Sequence, residues 1–345
     1  MEVLPSFSDD DYSWLLESSY YLDKNEHTNQ IQAVNGESIL LVKELALIED
    51  NLVRLANDKK YKDNYLSLIN LRKKKETFLH QFPINTFSPY VNLFFEAPYH
   101  PHREEESSIK FLEHLKNELA GELFKKEIQK KRKAISKNKQ SLLRYIESLF
   151  EYRSRLLVLR IDFSYQKDKN EFFTTSKGKK IDLLLGAINK DLLEEWSIEV
   201  REQRNQLIKG LKKKYKKDLV GYVWKLEYGA DKAFHYHMIF FLDESKYHQD
   251  IKIAESIGEM WKHEITNGKG IYWNCNAKKK HFEKSNRVAT GKIKHDNQEL
   301  RANLDAMASY LTKPDYFVKL TLPDGTRTFG KGGKPKKMKS GRPRK

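Results

Sequence analysis

The spacing of hydrophobic and polar positions changes once along this chain. Up to about residue 150, apolar residues recur at helical intervals. "NGESILLVKELALIEDNLVRLAND" opens on a capping residue and carries aliphatics three and four apart, and "LINLRKKKETFLHQF" predicts a second helical piece ending at Pro83. "PINTFSPYVNLFFEAPYHPHREEESS" holds four prolines among aromatics and predicts a loop excursion, with His100 and His102 as surface residues. "SSIKFLEHLKNELAGELFKKEIQKKRKAISKNKQSLLRYIESLFEYRSR" predicts one long helix or a helical pair.

Near residue 155 the period becomes two. In "LLVLRIDFSY", Leu157, Leu159, Ile161 and Phe163 fall on one side and Arg160, Asp162 and Ser164 on the other, the pattern of a strand with one buried face. A basic helix follows, "EEWSIEVREQRNQLIKGLKKKYKK". "LVGYVWKLEY" and "AFHYHMIFFLD" then predict a hairpin, with both strands central because neither shows a polar face. The helix "IKIAESIGEMWKHEI", the strand "IYWNCN" and the helix "NQELRANLDAMASYLTK" come next. "YFVKLTLPDGTRTFG" predicts a second hairpin around Pro-Asp-Gly. The order β-α-β-β-α-β-α-ββ implies an α+β domain, an antiparallel sheet of about five strands flanked by helices. Three regions result: a mainly helical 1–150, a sheet domain over 153–331, and a basic, disordered tail over 332–345.

Charge adds a partner. The 345 residues hold 64 Lys and Arg against 48 Asp and Glu, a formal net charge of +16 that favours a polyanion. Lys212, Lys213, Lys214, Lys216 and Lys217, then Lys278, Lys279 and Lys280, are the candidate phosphate contacts, together with the tail. Tyr222, Trp224 and Trp273 fit core packing better than base stacking. One cysteine, Cys275, leaves neither an internal disulfide nor a cysteine zinc cage. No apolar run reaches the roughly 20 residues of a membrane span, and "MEVLPSFSDDDYSW" lacks the features of a signal peptide. A cytoplasmic protein with single-stranded or origin DNA as partner is the expectation.

Candidate chemistry sits on the central hairpin. His235 and His237 lie two apart on a strand, so both imidazoles face one way. If Glu227 pairs directly with His235, the hairpin midpoint falls at Asp231 and the carboxylate joins them, making a site for a divalent ion. A shift of one residue sends Glu227 to the opposite face and leaves two core histidines. A nucleophile is suggested by tyrosine followed three residues later by lysine. Such pairs begin at Tyr21, Tyr222, Tyr310 and Tyr316. Tyr310 and Lys313 lie on the last helix, at the edge of the apolar stripe Leu300, Leu304, Met307 and Leu311.

The strand "LLVLRIDFSY", the "HYH" at 235–237 and the "YLTK" at 310–313, in this order, resemble the HUH endonuclease superfamily, in particular its rolling-circle replication initiators. More narrowly, "VGYVWKLEYG", "FHYHMIFF", "GIYWNCN", "YLTKPD" and "RTFGKG" resemble the inovirus replication-initiator-like family. The resemblance covers about residues 153–331. It implies an HUH-type fold and a site-specific DNA nickase and ligase that starts rolling-circle replication. It further implies Mg²⁺ or Mn²⁺ on Glu227, His235 and His237, Tyr310 as the attacking residue that forms a 5′-phosphotyrosine, and Lys313 as its supporting cation. A host helicase and polymerase are the implied partners. Ala306 and Pro314 stand where a second tyrosine on the same helix face would be, which makes this a single-tyrosine pattern with Tyr316 as the alternative second nucleophile. A transposase or mobilisation nickase, a water-using hydrolase and a non-catalytic DNA-binding regulator remain as other readings.

Overall fold

The computed structural model describes residues 20–24, 31–35, 37–57, 65–99, 104–168, 172–181, 190–229, 233–283, 287–311, 318–322 and 325–335. A short antiparallel pair, β1 (Tyr20–Lys24) and β2 (Ile31–Asn35), precedes a helical region. That region comprises α1 (Glu37–Asn57), α2 (Tyr65–Lys73), α3 (Lys75–Gln81), α4 (Pro89–Glu96), α5 (Glu104–Ala120) and α6 (Glu122–Tyr152). Leu45, Ile48, Leu52, Phe78, Phe94 and Phe111 are among its buried core residues. Gly121 separates α5 from α6, so the long helical stretch is a pair.

Over residues 85–96 the proline-rich segment is not a loop excursion. It contains β3 (Asn85–Phe87) and α4, whose Tyr90, Val91, Phe94 and Phe95 are buried. Pro89 occupies the first turn, where a missing N–H costs nothing, and Ser88 Oγ caps it by accepting from Val91 N at 3.2 Å. His100 and His102 lie outside the described residues.

The second half is α+β, as its period predicts. Its strands are β4 (Arg155–Tyr165), β5 (Phe173–Thr174), β6 (Lys180–Ile181), β7 (Leu219–Gly229), β8 (Ala233–Asp243), β9 (Gly270–Asn274), β10 (Gly291–Lys294), β11 (Val318–Leu320) and β12 (Phe329–Lys331). The central sheet runs β10-β4-β8-β7-β12, and β9 pairs with β4 beyond β10. Six strands therefore fill five positions, all in antiparallel pairs. The sequence does not announce β10, only four residues long. The expected final hairpin does not form. Instead β12 completes the sheet against β7, while β11 pairs with β3 of the helical region.

Both faces of the sheet are covered. Leu157, Leu159, Ile161, Phe163, Tyr236 and Met238 pack under α7 (Lys190–Tyr215), α8 (Asp250–Glu259) and the π-helical turn Met260–Ile265. Leu156, Val158, Val223, Ile239 and Phe241 pack under the C-terminal half of α6 and under the last helix. A short helix, α9 (Lys279–Glu283), precedes that last one, α10 (Gln298–Tyr310). The expectation that β4 buries only one face is overturned, since Arg160, Asp162 and Ser164 are also buried. They lie on the α6–α10 side. Among the described residues, no helix is long and apolar enough to cross a membrane.

Candidate metal centre

β7 and β8 adopt the register the site requires, with Glu227 opposite His235 and Lys225 opposite His237. The hairpin tip, 230–232, lies outside the described residues. On the other side of β8, Asp162 of β4 is opposite His237. Cross-strand partners share a face, so Asp162, His235, His237, Lys225 and Glu227 all stand on the side covered by α6 and α10. Tyr236 points the other way and is fully buried, its Oη donating to Val200 O at 3.4 Å.

Glu227, His235 and His237 each bring one donor atom within 4.8 Å of the other two. Tautomers follow from the neighbours. His235 Nδ1 lies 3.0 Å from Ala233 O, and a carbonyl only accepts, so this nitrogen carries the proton. His237 Nδ1 stands 2.8 Å from Asp162 Oδ1. Both Nε2 atoms are thereby turned to Glu227 Oε2, at 3.5 Å from His235 and 3.6 Å from His237. These separations are too long for good hydrogen bonds.

Within the cluster Glu227 Oε1 and both ring nitrogens of His237 are buried without a well-formed hydrogen bond, the 2.8 Å approach of His237 Nδ1 to Asp162 being an ion-pair contact. Each such group costs about 1–3 kcal/mol when left unsatisfied. Two imidazole nitrogens and a carboxylate form the facial donor set that transition-series divalent ions favour. The residues fit a metal ion.

Electrostatics bind the cluster together. Burial raises the Glu227 pKa, but the facing His235 and His237 outweigh it and hold the carboxyl well below its ordinary range. Burial likewise lowers the His237 pKa, yet Asp162 and then Glu227 push it up to about 9. Asp162 is braced in turn, with Arg160 Nε at 3.6 Å from Oδ1 and Cys275 Sγ at 3.8 Å from Oδ2.

Asp162 is the site residue that sequence reasoning left unassigned. Its signal was a carboxylate on the polar side of a strand that becomes central. Lys225, 1% exposed on the same face, is a second.

The chain belongs to the YagK/YfjJ C-terminal domain family. The family model matches residues 110–332, from within α5 through β12, and so takes in α6, the whole central sheet and the triad. No curated protein and no solved structure matches the chain.

The remaining candidates divide by position within this family domain. Tyr310 is the last residue of α10, which packs by Leu304, Met307 and Ala308 onto the triad-bearing face. Its side chain, with Lys313 and Tyr316, lies outside the described residues. Lys278 is exposed, with its Nζ 5.0 Å from the centre of the Trp273 ring, and Trp273 is opposite Asp162 on β9. Lys280 is exposed nearby, whereas Lys279 is held by Asp250. Lys212, Lys213, Lys214, Lys216 and Lys217 are exposed around the end of α7, in the layer on the opposite face. Trp224 lies under the Arg204 guanidinium at 3.8 Å, and Tyr222 packs against the same core.

Proposed function

We propose that this chain is a metal-dependent enzyme that nicks and rejoins single-stranded DNA through Tyr310, of the HUH type, and that it initiates rolling-circle replication of a phage, prophage or plasmid-like element. One observation carries the reading: Glu227, His235 and His237 each bring a donor atom within 4.8 Å of the other two, on the sheet face where α10 also packs. The net charge of +16 supports a nucleic-acid substrate.

Glu227 and the two Nε2 atoms would hold Mg²⁺ or Mn²⁺, two nitrogen donors favouring manganese. Such an ion supplies positive charge to the non-bridging oxygens of a phosphodiester. Asp162 orients His237, and Ala233 O orients His235. The Tyr310 oxygen gives up its proton and forms a bond to phosphorus. The bond from phosphorus to the 3′-oxygen breaks, and that oxygen leaves as a hydroxyl after taking a proton. Lys313 balances charge on the phenolate or the phosphate. Reversal rejoins the strand without a nucleotide cofactor, because the phosphodiester energy is kept in the tyrosyl ester.

The test compares the wild type with Tyr310→Phe, each incubated with Mn²⁺ and a 3′-labelled single-stranded library and then run on a denaturing gel. A labelled protein band that disappears in the variant and with EDTA supports the reading. A band that survives moves the nucleophile to Tyr316, and cutting without a band assigns it to water.

A second reading rests on His237 itself. Asp162 and Glu227 flank it closely enough to hold it as a buried imidazolium, which is a structural role suited to a non-catalytic DNA-binding regulator. Failure to bind Mn²⁺ at neutral pH would favour that reading.

A further inference from the structure

α6 is shared by two cores. Ile128 belongs to the helical core, and Leu142, Tyr145, Ile146 and Leu149 belong to the sheet core. Between them only Ile135 is buried. Its opposite face has a regular composition. At 100° per residue, Lys126, Lys130, Lys133, Lys137 and Arg144 fall within about 60° of one another, directly away from Ile128, Ile135 and Leu142. All five are exposed, and none has an ion-pair partner among the described residues. No carboxylate interrupts the row. At 1.5 Å per residue it runs about 27 Å, the length of about eight base pairs at 3.4 Å each.

The edge of the sheet adds to it. Lys331 of β12 donates from Nζ to Ser141 Oγ at 2.7 Å, which brings another ammonium beside α6 near Arg144, and Lys334 follows it, exposed. Like charges aligned on a rigid helix repel one another, and they are stabilised by an equally regular row of anions.

We propose that this outward row is a docking surface for the phosphate backbone of duplex DNA. A lipid surface fits poorly, since a membrane-lying helix must offer its apolar face and that of α6 is buried in protein. A single strand fits poorly too, since its binding relies on stacking aromatics and the row has none. A straight line of cations matches a stiff polyanion. The surface is distinct from the lysines at 212–217 and 278–280, and it lies on the helix that also covers the triad-bearing face.

The experiment measures fluorescence anisotropy of a labelled duplex and of a single strand of equal length across a salt series, in EDTA. The full chain is compared with Lys126→Gln, Lys130→Gln, Lys133→Gln and Lys137→Gln combined, a helix-compatible change checked by circular dichroism. Duplex affinity should fall at least tenfold near 0.1 M salt. The slope of log K against log salt should shrink by about 3–4, close to 0.9 per lost phosphate contact. Single-strand affinity should hold within twofold. An unchanged slope overturns the proposal, as does an equal loss on both DNAs, or a loss confined to anionic vesicles run in parallel. Without metal no nicking is measured, so failure of the nicking reading and failure of this one are separate results.

Discussion

Asp162 and His237 are cross-strand partners whose Oδ1 and Nδ1 atoms lie 2.8 Å apart, and this contact decides which imidazole nitrogen faces Glu227. A carboxylate behind a metal-binding histidine fixes the ring and raises its basicity. Asp162→Asn keeps the shape but weakens that hold. Mn²⁺ affinity by calorimetry should fall by roughly 10–100-fold, with the far-ultraviolet spectrum unchanged. Affinity within twofold of wild type would remove Asp162 from the site.

The same cluster predicts a pH dependence. His237 has a folded pKa of about 9, above its ordinary value near 6.5. Its proton therefore stabilises the metal-free fold fully below about pH 6.5, and that contribution is lost as pH rises through about 9. A metal must displace this proton. Apparent Mn²⁺ affinity should rise about tenfold per pH unit from 7 to 9, then level off. Calorimetry in buffers of different ionisation enthalpy should count close to one proton released at pH 7. A flat affinity over this range would count against His237 as a ligand.

Metal should also stabilise the fold. At one hundred times its dissociation constant, a ligand specific to the native state adds about 2.7 kcal/mol. Mn²⁺ should raise the wild-type melting temperature, and EDTA should reverse the gain. Glu227→Ala, His235→Ala and His237→Ala should each abolish it. A shift that persists in all three would locate the binding elsewhere.

The seating of α6 on the sheet depends on Gly221. A Cβ there would lie 2.6 Å from Leu149 Cδ1 and 2.7 Å from Tyr145 Oη, while β7 is already irregular between Leu219 and Gly221. Gly221→Ala should cost about 1–3 kcal/mol in urea unfolding, the usual penalty of overpacking. An unchanged midpoint would show that α6 yields easily.

Local pattern carried much of this architecture. The two-residue period of 155–165, the pairing of β7 with β8 and the helical repeats on either side were legible, because side-chain alternation and turn composition are local properties. The opposition of Glu227 and His235 was one of two registers the sequence left open, and the pairing of β7 with β8 selects it. The α4 helix was misread because a proline in the first turn of a helix looks, in sequence alone, like a proline in a loop. The partners of β11 and β12 were misread because strand pairing at a distance leaves no local trace.

The sequence by itself determined the α+β class, the helical first half, the net positive charge and the shared face of His235 and His237, with Glu227 as a candidate third donor. Only the tertiary structure decided that the polar side of β4 is buried and that Asp162 stands behind His237. It alone joined β12 to β7 and set α6 across two cores with its lysines outward. The reason is physical: side-chain type and period act between chain neighbours, whereas burial and cross-strand partners depend on which distant segments supply the lowest-energy cover.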